Sequence, residues 1–255
     1  MNLTNIYHIT FYTYDSSLYI FFRGCNFKCR GCILKLSRWD IHLPQEVQEG
    51  LKPLKGHDPL SLRGFENIVE SSEARRAVLG GGEPTVDRHL PDIVRILSSY
   101  GVETVLLTNA HALNRNLIRK LKSSGLKRVY VSIKARSEEI HRFYTGESNK
   151  IVLENFRHVY EDGLELAAES ILIPELVERD EIEKIAKFIS SVDDRIHYRV
   201  DGFIPTPYTP WRKPTVDEVI EAAEVAKKYL KNVHYLHNKS DAVGKTLCIY
   251  PKITF

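Results

Sequence analysis

From Leu18 onward two kinds of segment alternate along the chain, and this alternation limits the fold more than any other feature. Short runs rich in β-branched and aromatic residues are followed by longer runs whose apolar residues recur at helical spacing, the pattern of repeated βαβ units on a parallel sheet. Strands are predicted at 18–23, 75–80, 102–108, 127–134, 164–173 and 195–204, with a seventh at 233–237. Between them Leu90, Ile93, Val94 and Leu97 form one helical stripe, and Leu117, Ile118 and Leu121 form another. Val152, Phe156 and Val159 repeat the scheme, as do Ile182, Ile185, Ala186 and Ile189. Gly101, Gly125 and Gly163 stand where the first three helices would stop. Thr215 and Glu218 have the spacing of a capping box and open a last helix through Val219, Ala222, Ala223 and Ala226.

A closed eight-unit barrel takes about 250 residues. This chain has 255, but it spends residues 34–74 on a stretch of weak periodicity punctuated by Pro44, Pro53, Gly56, Pro59 and Gly64. Six or seven units therefore remain. The stretch reads as an insertion of short helices and loops within a single domain, 1–255, whose C-terminal extension runs from about 233 to 255. With 43% apolar residues, a chain of this length buries a full core. Thirty-six basic residues against thirty-three acidic ones leave a net charge of +3, so bulk electrostatics do not indicate nucleic acid or an anionic membrane as a partner, although a local patch would not show in this sum. No apolar run approaches the ~20 residues that span a bilayer, and residues 1–14 lack the pattern of a leader. A cytoplasmic protein is expected.

Three of the four cysteines, Cys25, Cys29 and Cys32, fall within eight residues, in a loop at 23–33 that follows the first strand. Parallel α/β folds place their chemistry at that end of their strands. Three thiolates in a tight loop can hold an iron–sulfur cubane and leave one iron without a protein ligand. A structural zinc site, which needs four ligands, and three inert thiols are the competing readings. Cys248, in the apolar run Leu247-Cys248-Ile249, reads as a small packing residue. His234 and His237 read as surface or packing residues before they read as ligands. After the second strand, Gly80, Gly81 and Gly82 precede Glu83 and Pro84, a turn that lets backbone carbonyls approach an ammonium group closely.

The C-x3-C-x2-C spacing resembles the signature of the radical S-adenosylmethionine enzymes, and the Gly81-Gly82-Glu83-Pro84 turn resembles a second motif of that family. The resemblance implies a partial (β/α)6 TIM-type barrel. It implies that Cys25, Cys29 and Cys32 bind a [4Fe–4S] cluster, with S-adenosylmethionine chelating the open iron. It also places Phe27, Gly31, Ile33, Gly81, Gly82, Glu83, Thr108, Ser132 and Lys134 around S-adenosylmethionine, with Lys134 as a partner for its carboxylate. Further matches, including Phe21-Phe22-Arg23-Gly24-Cys25, Leu107-Thr108-Asn109 and Ser132-Ile133-Lys134, are similar to the activating enzyme of pyruvate formate-lyase and related glycyl radical enzyme activases. They cover roughly Leu18 to Trp211. The implied activity is reductive cleavage of S-adenosylmethionine to a 5′-deoxyadenosyl radical that abstracts hydrogen. The implied partners are a protein substrate with a glycyl loop and an electron donor such as flavodoxin or ferredoxin. Arg23, Lys28 and Arg30 would suit docking of an acidic donor, and equally suit a solvated surface.

The chain departs from the activase pattern at several places. Gly31 stands where an aromatic residue is common, so the aromatic contact to adenine is assigned elsewhere, with Phe27 as the candidate. Residues 12–17 replace a glycine-rich stretch with an arginine, Leu107 and Ser132 replace acids, Glu169 replaces an arginine and Pro207 a histidine. Two other readings therefore stay open: an enzyme of the same superfamily acting on a small molecule, peptide or RNA, and a metal-stabilised binding protein without catalysis.

Overall fold

The computed structural model describes residues 2–54, 60–237 and 244–252. Gly56 and Pro59 of the insertion, and parts of the C-terminal extension, lie outside the described residues.

Seven parallel strands form the body of one sheet: β2 (Ser17–Phe22), β3 (Arg76–Gly81), β4 (Glu103–Thr108), β5 (Arg128–Ser132), β6 (Glu165–Leu172), β7 (His197–Gly202) and β8 (Val233–Leu236). Each pairs with the next in chain order. Two antiparallel strands, β1 (Ile6–Tyr12) and β9 (Thr246–Tyr250), extend the sheet beyond β2, giving the order β8-β7-β6-β5-β4-β3-β2-β1-β9. Among the described residues the two ends of the sheet do not pair, so the barrel is open. The predicted strands match β2 to β8, but the readings at 127–134, 164–173 and 195–204 are too long at both ends. Several of their outer residues, among them Lys127, Ile133 and Phe203, still bond the neighbouring strand through one main-chain group but do not continue the ladder.

The helices are α1 (Gln45–Leu51) and α2 (Leu62–Glu70) in the insertion, then α3 (Leu90–Ser99), α4 (Arg115–Ser123), α5 (Glu138–Thr145), α6 (Lys150–Glu161), α7 (Arg179–Ser190) and α8 (Val216–Lys227). Every predicted stripe lies on one of these helices, and its residues are buried except Leu117, which is partly covered. Gly101, Gly125 and Gly163 follow their helices with φ of 73°, 106° and 72°, a region that glycine enters without steric cost. The Thr215–Glu218 capping box forms in both directions.

Alternation within each strand separates the two faces of the sheet. Leu18, Ile20, Leu79, Leu106, Val129, Val131, Ala168 and Val200 face the helices and form the main core. The other face carries Tyr19, Phe21, Leu107, Ser132, Glu169, Ile171 and Asp201 toward an interior cavity. The alternation along the sequence does not reveal β1 or β9. β1 joins β2 through a turn without glycine or proline, in which the Ser17 hydroxyl donates to Asp15 at 2.6 Å and Ser16 has φ 53°. β9 pairs with residues more than 230 positions earlier, beyond the reach of any local pattern. Cys248 is only half buried, and packs against the smaller apolar cluster of Tyr7, Phe21 and Trp39 rather than the main core. His234 stacks on His197, and His237 bonds the Pro214 carbonyl at 2.9 Å.

Candidate functional site

The ends of β2 and β3 carry the two motifs, and the main chain joins them. Gly82 N–H donates to the Phe22 carbonyl at 3.0 Å, and Glu83 N–H donates to the Gly24 carbonyl at 2.8 Å. A side chain at position 82 has no room, since a Cβ there would lie 2.3 Å from the Gly24 oxygen and 2.5 Å from the Phe22 oxygen. The other flank of the cysteine loop rests on the end of α5. There Lys28 and Arg30 N–H groups donate to the carbonyls of Thr145 and Tyr144, at 2.8 and 2.9 Å, and satisfy acceptors that a helix end leaves open.

Cys25, Cys29 and Cys32 line one cavity of about 340 Å³ together with Phe27, Gly31, Ile33, Gly81, Gly82, Glu83, Thr108, Ser132 and Lys134. The fold thus brings every residue expected around the cluster and S-adenosylmethionine to a single place. Among the described residues, no three Cys, His, Asp or Glu side chains converge as ligands of one ion would. Three thiols lining one cavity can each bind a different iron of one cubane and leave the fourth iron open. Burial pushes the Cys25 thiol up and the Cys29 thiol to about 11, against the pull of Lys134 on both. Iron binding would deprotonate them.

Glu83 is 1% exposed. Its Oε1 accepts from Thr85 N–H (3.0 Å), the Thr85 hydroxyl (2.6 Å) and the Thr108 hydroxyl (2.6 Å), while Oε2 accepts from Asn109 N–H (2.7 Å). Burial pushes its carboxyl up against these donors. Glu83 therefore locks the ends of β3 and β4 together, and the Thr108 hydroxyl is already committed to it. Lys134 donates to the Ser132 hydroxyl at 2.6 Å and forms no ion pair among the described residues, which leaves its charge available within the cavity.

Several groups at the site have no role assigned from the sequence. Asn109 donates to Asn26 Oδ1 at 2.7 Å and lies 3.6 Å from Cys25 Sγ. Phe203, just beyond β7, and Tyr144 of α5 occupy the space that a side chain at Gly31 would need, so aromatic surface reaches this part of the cavity from the opposite wall. Phe27 is held edge-on to His111 and His141. Across the cavity, Arg199 donates to Glu169 at 2.7 Å and to Asp201 at 2.7 and 2.8 Å, and burial pushes the Asp201 carboxyl up. Glu169 is named above as a departure from the activase pattern, but its pairing with Arg199 and Asp201 depends on the register of β6 and β7.

The model of the Radical SAM superfamily matches residues 19–189, which include both motifs and the strands that carry them. The chain belongs to this superfamily. It is 31% identical over 215 residues to a Methanocaldococcus jannaschii protein named "Putative glycyl-radical enzyme activating enzyme", covering 82% of this chain and 76% of that one. Among solved structures, a domain of pyruvate-formate lyase-activating enzyme from Bacteroides vulgatus superposes with a TM-score of 0.54 at 16% identity, covering 63% of this chain and 98% of that domain. Streptococcus suis SuiB bound to S-adenosylmethionine superposes with a TM-score of 0.65 at 15% identity over 84% of this chain, which spans about half of SuiB (48%). At these identities the structures share the radical SAM fold. No helix among the described residues is long and apolar enough to cross a membrane.

Proposed function

We propose that this radical SAM protein holds a [4Fe–4S] cluster on Cys25, Cys29 and Cys32 and uses it to cleave S-adenosylmethionine. The supporting observation is the single cavity shared by the three thiols, the Gly81-Gly82-Glu83 turn and Lys134 at the carboxyl ends of β2 to β5. The chemistry supplied there, with the two groups bound and the cluster reduced by an external donor, would be one-electron cleavage of the sulfonium to methionine and a 5′-deoxyadenosyl radical. The chain's own residues bind and orient. Gly81 and Gly82 bring main-chain groups close to the methionyl ammonium, and Lys134 neutralises the carboxylate. Glu83, which has no cation partner among the described residues, would add negative charge to a cavity that takes a cofactor with two positive groups and one negative. Phe203, Tyr144, Ile33 and Ile171 give the chamber apolar walls that exclude water around a reactive carbon.

The substrate proposed is a protein with a glycyl loop, as for an activase. It is supported by the M. jannaschii relative, matched over most of both chains, and by the open sheet, which admits a peptide from the side. Arg23, Lys28 and Arg30 are exposed beside the cysteine loop and are proposed to dock an acidic electron donor, flavodoxin or ferredoxin, in the cytoplasm. Anaerobic reconstitution tests the core of this reading. Wild-type protein should take up iron and sulfide and release 5′-deoxyadenosine when reduced by dithionite, and Cys29→Ala should abolish both. A colourless protein with stoichiometric zinc would falsify it.

A further inference from the structure

We infer that Asn109 is a positioning residue that sets the reduction potential of the cluster through an N–H···S hydrogen bond to Cys25, an inference that rests on the cluster assignment proposed above. Asn109 closes β4 and is 6% exposed. Its side-chain oxygen accepts from His111 N–H at 2.9 Å, which fixes the orientation of the amide and leaves the NH2 group facing the cysteine loop. One N–H of that group serves Asn26 Oδ1 at 2.7 Å, and the other faces Cys25 Sγ at 3.6 Å. The amide has little freedom to turn away. Glu83 holds the Asn109 main-chain N–H, Thr108 Oγ1 accepts from Ala110 N–H at 2.9 Å, and Asn155 donates to the Ala110 carbonyl at 2.8 Å, where Ala110 takes a left-handed φ of 58°.

The three sulfurs are not equivalent. Cys25 Sγ also accepts from Phe27 N–H at 3.3 Å, whereas no side-chain donor reaches the Cys29 or Cys32 sulfur among the described residues. An N–H donor stabilises negative charge on its sulfur, and the reduced cluster carries more of that charge than the oxidised one. Hydrogen bonds to sulfur accordingly raise the potential. Asn109 makes the cluster easier to fill with an electron, and it does so from a residue that also carries the buried Glu83 network.

The full chain, reconstituted anaerobically, tests this with Asn109→Asp and Asn109→Ala. The aspartate keeps an acceptor for His111 N–H and the shape of the side chain, but loses the donor and turns a negative charge toward Cys25. Iron and sulfide content and the midpoint potential, followed by electron paramagnetic resonance, are the readouts. Both variants should bind iron near wild-type levels with more negative potentials. At a fixed donor potential near the midpoint, the ratio of reduced to oxidised cluster should fall about tenfold in Asn109→Asp, equivalent to 59 mV for one electron, and less in Asn109→Ala. Unchanged potentials and resonance signals in iron-replete variants would overturn the inference while leaving the cluster in place. So would lost iron with an unchanged potential in the clusters that remain, which is the mark of a purely structural role. Wild-type protein that takes up no iron removes the cluster assignment itself, and the inference with it.

Discussion

Glu83 and Glu181 are both buried carboxylates that tie a strand end to its surroundings, yet their ionisation is biased in opposite directions. Glu181, on α7, accepts from the N–H groups of Arg136 (2.6 Å) and Ser137 (2.5 Å), from the Ser137 hydroxyl (2.6 Å) and from Lys184 (3.0 Å). Burial pushes it up, but the Ser137 donors and Lys184 outweigh that push and hold its carboxyl below the ordinary value. Glu83 also accepts four hydrogen bonds, but it has no cation partner among the described residues, and burial leaves its carboxyl raised. The difference is one positive charge. A structural network completes itself with a lysine; the network beside the cysteines is completed, on the proposed reading, by the ligand.

The largest effect that should separate them is on stability. Glu181→Ala strands two main-chain donors beyond β5 and should cost about 3 kcal/mol, lowering Tm by roughly 6–12 °C in a chain of this size. Thermal unfolding of the cofactor-free protein measures it. Next comes ligand linkage. S-adenosylmethionine at about 100 times its Kd should stabilise the cluster-loaded wild type by about 2.7 kcal/mol. Glu83→Gln, which also lowers the cofactor-free Tm because an amide cannot accept all four buried hydrogen bonds, should remove most of that thermal shift when each protein is compared with its own cofactor-free form. An undiminished shift in Glu83→Gln would make the two carboxylates equivalent.

A finer distinction lies in pH. The lowered carboxyl of Glu181 contributes stability that is present above its unfolded value near 4.5 and is lost as pH falls through the folded value. The raised carboxyl of Glu83 contributes stability that is present below its unfolded value near 4.5 and is lost as pH rises through the folded value. Denaturation of cofactor-free protein across this range should show that Glu181→Gln flattens the acid-side loss and Glu83→Gln the opposite one. The smallest effect is that of Lys184→Ala. Lys184 is about half exposed, so its removal should cost under about 1 kcal/mol, while moving the pH profile of the Glu181 network toward that of Glu83.

The sequence made the strand and helix order of the barrel readable because burial on one face imposes a period that propensity and glycine stops reinforce. Cys25, Cys29, Cys32 and the Gly81-Gly82-Glu83 turn were readable because their chemistry is compressed into adjacent positions. What escaped was long-range. β9 is a strand because β1 offers it an edge, and β1 is buried from both sides only because β9 and the insertion cover it. Asn109 and Phe203 lie in runs that resemble the activases and Glu169 in a departure from them, but their contacts with Cys25, Gly31 and Arg199 depend on register and loop closure, which no run of neighbouring residues encodes.

Position 82 translates these contacts into the language of mutational tolerance. In a saturation library the backbone oxygens of Phe22 and Gly24 should reject every substitution at 82, whereas Gly31 is crowded only by the rings of Phe203 and Tyr144, which can give way. The two glycines should therefore part company under selection, one fixed across all backgrounds and the other recoverable as alanine by a second change at 203. Where such a pair is recovered, the cavity has been resized without touching a cysteine.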